Sequence, residues 1–174
     1  FYQPVDYGST AMFTPWNVII NGSYDVLQID GKERRLHKLP YGSGLANVWE
    51  NVVLHPGASI SQIGWDRFIA TEILPLTWNS EGAQWIPNYQ LHLIGGGMTY
   101  RMLAEWYDHK NVAAPEAWAI GTIAAYHVLN EVVEAQDYRG YNTDPIADLL
   151  IFDWLGVVPF SFDGGAGVFG YTLN

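Results

Sequence analysis

The chain has 174 residues, of which 49% are hydrophobic, 15% aromatic and only 15% charged. It is the size of one domain with a sizeable core, and its composition argues against intrinsic disorder, a coiled coil or a charged tail. Eighteen acidic against eight basic residues leave a net charge of -10 with no basic patch to neutralise phosphates, so no nucleic-acid partner is expected. The lack of cysteine excludes a disulfide framework, thiolate metal ligands and a Cys nucleophile.

Phe1 in place of Met is expected if a leader has been removed or a longer chain continues beyond the sequence. Residues 1–44 read as strands and loops. The runs WNVII and SYDVLQI flank Asn21-Gly22, a pair favoured in two-residue hairpin turns, and the basic segment from Gly31 to Gly44 follows as a solvated loop. From Leu45 the pattern turns helical. One helix runs to His55, before Pro56-Gly57, and a second covers Ser59 to Leu74, before Pro75. An aromatic-rich loop is expected over Trp78 to Pro87, then a helix capped by Asn88 and reaching Tyr107. Pro115 opens the next helix at its first turn, where the missing N–H is harmless, and that helix extends to about Ala135. Its small residues Gly121, Ala124 and Ala125 predict a close helix contact. Asp144-Pro145 is a cap-plus-Pro start for a helix ending near Gly156 or Pro159, and 161–174 reads as an extended tail. The expected fold is mainly α: a compact bundle of about four to five helices over 45–160, with a small hairpin-containing N-terminal part.

No stretch offers the 18 to 20 apolar residues of a clean transmembrane helix: Ala117 to Asn130 is uncharged for 14 residues only, and Ile146 to Phe162 is interrupted by Asp148 and Asp153. Core helices of a folded domain fit better than spans, although the wealth of Trp and Tyr suits a membrane interface.

Polar residues recur inside the apolar helices. His92 shares a helical face with Gly96 and Thr99, and Gly95-Gly96-Gly97 calls for a close helix approach to offset its weak helix propensity. His127, Glu131 and Glu134 fall at i, i+4 and i+7, on one stripe that can bind a divalent ion, share a proton or serve as an ordinary polar face. Asp144 reads as an N-cap, with Asp148 one turn later on the same face. Asp153 points elsewhere, in the apolar run LLIFDWLG, where a carboxylate must be paired, protonated or engaged by another subunit.

The run Asn88 to His92, then Gly95-Gly96, Tyr100-Arg101, Asn130-Glu131, Glu134 and Asp144 to Asp148, resembles bacterial envelope proteins related to the VanZ-like group, over about residues 85–160. The resemblance implies a bacterial cell-envelope location, periplasmic or membrane-associated, and a bundle whose His, Glu and Asp residues meet inside. It departs from the group in less hydrophobic helices and in Asn130-Glu131 where Trp-Glu is common. A second Asn-x-x-Leu-His, Asn51 to His55, echoes Asn88 to His92.

The first functional expectation is an accessory or structural subunit of a membrane-associated envelope assembly, with other protein subunits as partners and contact with membrane or lipid. No cofactor is called for under that expectation. The alternative is a metal-dependent hydrolase or lipid-modifying enzyme in which His92, His127, Glu131, Glu134 and Asp148 hold a divalent metal.

Overall fold

The computed structural model describes residues 1–29, 33–76 and 86–172. The chain is mainly helical, and among the described residues there is no strand. The expected hairpin is replaced by α1 (Pro15–Tyr24) and α2 (Val26–Ile29). Thr14 caps α1 by accepting a hydrogen bond from the Asn17 N–H (3.2 Å), and Pro15 sits in the first turn. Asn21-Gly22 lies inside this helix because the bare Gly22 Cα abuts the Tyr126 ring; a Cβ there would stand 2.7 Å from it. The rest of the chain forms α3 (Tyr41–Val48), α4 (Pro56–Ile63), α5 (Trp65–Phe68), α6 (Gly97–His109), α7 (Pro115–Ala135), α8 (Asp144–Ala147), α9 (Asp153–Phe160) and α10 (Asp163–Thr172). These are more segments than the four to five expected, since Gly64 (φ 102°) breaks the second predicted helix and the tail is helical. The tail folds because Ala166 is buried against the α9 core and the Phe160 and Phe169 rings stack at 4.8 Å. The loop expected over 78–87 lies outside the described residues as far as residue 85.

Four stretches widen from α- to π-helical winding: Trp49–Leu54 after α3, Ile69–Ile73 after α5, Ile86–Gly96 before α6 and Asp148–Phe152 between α8 and α9. Their i→i+5 bonds include His55 N–H to Glu50 O (2.9 Å) and Leu74 N–H to Ile69 O (2.7 Å).

Helix α7 is the centre of the bundle, packed by α1, α3 and α6. Its buried stripe is Ala119, Ile123, His127 and Glu131, with Thr122, Val132 and Val133 beside it. The small residues Gly121, Ala124 and Ala125 lie instead on the exposed side, lining a shallow apolar groove with Tyr41 and Leu45, so the close contact expected of them is absent. Close approach occurs where Gly97 meets Gly156: a Cβ on Gly97 would stand 2.3 Å from the Phe160 ring and 2.8 Å from the Gly156 carbonyl. No single helix among the described residues is long and apolar enough to cross a membrane; Asp144–Phe160 and Asp163–Gly170 reach that length only together, across a 95° bend.

Candidate functional site

Three of the four π-helical stretches deliver polar side chains to one place. Ile86–Gly96 carries Asn88 and His92, Ile69–Ile73 carries Glu72, Asp148–Phe152 begins at Asp148, and α7 adds His127, Glu131 and Glu134. The π-turn after Asp148 also corrects the expectation that Asp153 points away. Residues five apart lie about 140° from each other around an α-helix. Here the Asp153 N–H instead bonds back to the Asp148 carbonyl, and both carboxylates reach the same imidazole.

That imidazole is His92. Its Nδ1 donates to Asp153 Oδ1 (3.2 Å), while Nε2 faces Asp148 Oδ2 at 3.4 Å. His127 packs against it with ring centroids 4.7 Å apart and places its own Nδ1 2.6 Å from Asp153 Oδ1, an ion-pair contact that lacks hydrogen-bond alignment. Glu131 completes the inner group: one ligand atom each from His92, Glu131 and Asp148 lie within 4.8 Å of one another. A second such triplet is His92, His127 and Asp153, and a third is Glu131, Glu134 and Asp144. All seven polar residues expected at the site therefore share one contiguous cluster. Within it Asp144 is the first residue of α8, and Thr143 holds the cap position assigned to Asp144 from sequence.

The sequence reading missed Glu72 and Asn88. Glu72 is 8% exposed and its carboxyl stands against that of Asp144; Asn88 is fully buried and donates from Nδ2 to the Glu72 carbonyl (2.7 Å). The signal for Asn88 was spent on a capping role that it does not have, and nothing in the spacing of Glu72 marks it.

Burial and charge shift the titration of seven groups here: Glu72, His92, His127, Glu131, Asp144, Asp148 and Asp153. Burial alone would strip His92 of its proton, but the Asp153 hydrogen bond and the charges of Asp148, Asp153 and Asp144 outweigh it and raise its pKa to about 9. His127 goes the other way, lowered by burial despite Asp153. Burial raises Asp148 to about 7 against the opposing pull of His92. Glu131 and Asp144 are raised well above the carboxylate range, by burial first and then by the surrounding acids. Asp153 stays low because, against its burial, two imidazoles serve it.

The bonding is incomplete. Among the described residues five buried side-chain atoms lack a hydrogen-bond partner, and all five are here: Glu72 Oε2, Asn88 Oδ1, His127 Nδ1, Glu131 Oε1 and Asp148 Oδ1. Four of them are oxygens, and no Lys or Arg pairs with Glu72, Glu131, Asp144 or Asp148 among the described residues. Buried carboxylates in that condition call for a proton or a cation. A cleft of about 810 Å³ reaches the histidine edge of the cluster, lined by Met12, Phe13, Leu91 and Met102 with Asn17 and Asn130. Asp25 also lines it, and among the described residues no Lys or Arg does. No family model, curated protein or solved structure matches this chain.

Proposed function

We propose that the chain is a divalent-metal-dependent hydrolase or lipid-modifying enzyme whose ion is held by His92 Nε2, Glu131 and Asp148. The observation that carries this reading is the gathering of all five orphaned buried atoms in one cluster beside a cleft. Asp153 accepts a hydrogen bond from His92 Nδ1–H, the outer-shell arrangement that fixes the orientation of a metal-ligating imidazole and raises its basicity. A bound ion would supply Lewis acidity and a water activated near neutral pH. The residues of the chain hold that ion, exclude bulk water and admit substrate from the histidine side. The cleft, largely apolar with neutral polar groups and the carboxylate of Asp25 and with no Lys or Arg among its described lining residues, suits an uncharged ester or another amphiphile better than a free anion.

A location in the bacterial envelope rests on the resemblance to the VanZ-like group. The accessory-subunit reading keeps one supporting observation: Trp154, Leu155, Val158 and Phe162 are all more than half exposed along one face of α9 and its exit. The two readings separate by assay. Purified chain loaded with Zn²⁺ or Mn²⁺ is offered a series of fluorogenic fatty-acyl esters and phosphodiesters. Turnover that is lost in chelator and in His92→Ala supports the enzyme. A chain that retains no ion on dialysis and keeps the same melting temperature in chelator defeats it.

A further inference from the structure

Glu131 belongs to two sets of potential ligands. Towards the cleft it joins His92 and Asp148; on the other side it joins Glu134 and Asp144, again with ligand atoms within 4.8 Å of one another. The second set contains oxygen only. It continues outward through the carboxyl contact between Asp144 and Glu72. A cluster of acids alone would say little, but this side holds its own unsatisfied atoms. Glu72 Oε2 and Asn88 Oδ1 lack any donor, in side chains 8% and 0% exposed, and Glu131 Oε1 lacks one at the junction of the two sets. Histidine and carboxylate together suit zinc, manganese or iron, whereas carboxylates with an amide oxygen suit a hard ion such as Mg²⁺, Mn²⁺ or Ca²⁺.

We propose that the cluster holds two divalent cations, the second in an oxygen-only position formed by Glu131, Glu134 and Asp144 with Glu72 and Asn88 at its edge, and that Glu131 is shared between them. This rests on the reading of the His92 side as a metal position and extends it to a pair. Two ions across one carboxylate leave no buried acid of the cluster without a counter-charge, and paired ions can clamp both the attacking and the leaving oxygen of a hydrolysed bond.

Mn²⁺ is the probe, since it fits both positions. Equilibrium dialysis of the full chain is expected to give two Mn²⁺ per chain, with an electron paramagnetic resonance spectrum showing coupling between them. Asp144→Asn is expected to reduce the count from two to one, and the remaining ion should keep the hyperfine coupling of an imidazole nitrogen. Should that variant fail to fold by circular dichroism, Glu134→Gln, which alters an exposed member of the same set, makes the same test. One Mn²⁺ in the wild type, unchanged in both variants and coupled to imidazole nitrogen, overturns the second position and leaves the first. No Mn²⁺ in the wild type overturns both.

Discussion

The chain spells Asn-x-x-Leu-His twice, and the two copies have become opposite kinds of polar interior. Both lie on π-helical stretches and both asparagines are buried. Asn51 is fully bonded. Its Nδ2 donates to the carbonyls of Asn47 (2.9 Å) and Gly140 (3.3 Å), and its Oδ1 accepts from Ser59 Oγ (2.7 Å) and the Asn142 N–H (3.0 Å). The side chain of its histidine, His55, is 59% exposed and lies 3.4 Å from Glu50. Asn88 keeps an orphaned Oδ1, and its histidine lies among carboxylates. A neutral network that closes on itself pins the 137–142 loop to α3. The charged one stays open and leaves buried oxygens without a donor.

If that contrast is right, the open network should respond to pH and the closed one should not. For Asp148 and His92, whose folded pKa values are raised to about 7 and about 9, stability is fully present below the unfolded value and is lost as pH rises through the folded one. Glu72, Glu131, Glu134, Asp144, Asp153 and His127 surround the same two groups, and raised Glu131 and Asp144 act in the same direction; the depressed His127 opposes it only as pH falls below its unfolded value. Urea unfolding of metal-free protein between pH 5 and 9 is expected to show a decline of about 4 kcal/mol. Saturating Mn²⁺ should flatten that profile, because the ion takes over the role of the protons.

Breaking the closed network comes next in size. Asn51→Ala strands the Asn142 N–H and leaves Ser59 Oγ and the Gly140 carbonyl with one partner each, His55 O and Asn47 Nδ2, and should cost about 2 kcal/mol, independent of pH and of Mn²⁺. Asn88→Ala removes an already orphaned oxygen along with one hydrogen bond, so its expected cost is smaller, about 1 kcal/mol, while the second Mn²⁺ binds more weakly in dialysis. At the bottom of the scale, His55→Ala deletes an exposed ion pair and should change stability by less than about 0.5 kcal/mol. A loss in His55→Ala comparable with that in Asn51→Ala would mean that the first copy of the motif acts as a unit and that the comparison is drawn in the wrong place.

Much of the site was legible because its residues sit where ordinary helix rules hold. His127, Glu131 and Glu134 share a stripe of an unbroken α-helix opened by Pro115, and Asp144-Pro145 marks the start of the next one to within a residue. The N-terminal helix was lost to a competing local signal. Thr14-Pro15 is the same cap-plus-Pro start, but Asn21-Gly22 between β-branched runs argued for a hairpin, and only the Tyr126 ring from across the bundle explains the glycine. The tail failed for a similar reason, since its glycines suggested extended chain while burial of Ala166 against Phe160 settles it as helix. Glu72 and the partnership of Asp148 with Asp153 were out of reach because the pattern was read at 3.6 residues per turn, and those segments are wound more widely.

Wide winding also means that part of the site is written in the number of residues rather than in their identity. Between Asp148 and Asp153 the chain spends about one residue more per turn than an α-helix would, and Leu150 lies on the exposed side of that turn. α winding at the present length would set Asp148 and Asp153 about 140° apart and carry Asp153 off His92, whereas deleting Leu150 and returning to α winding would leave them four residues and about 40° apart, still on one face. Chain length and winding are therefore matched in this turn: the extra residue is tolerated at the site only because the helix widens to absorb it.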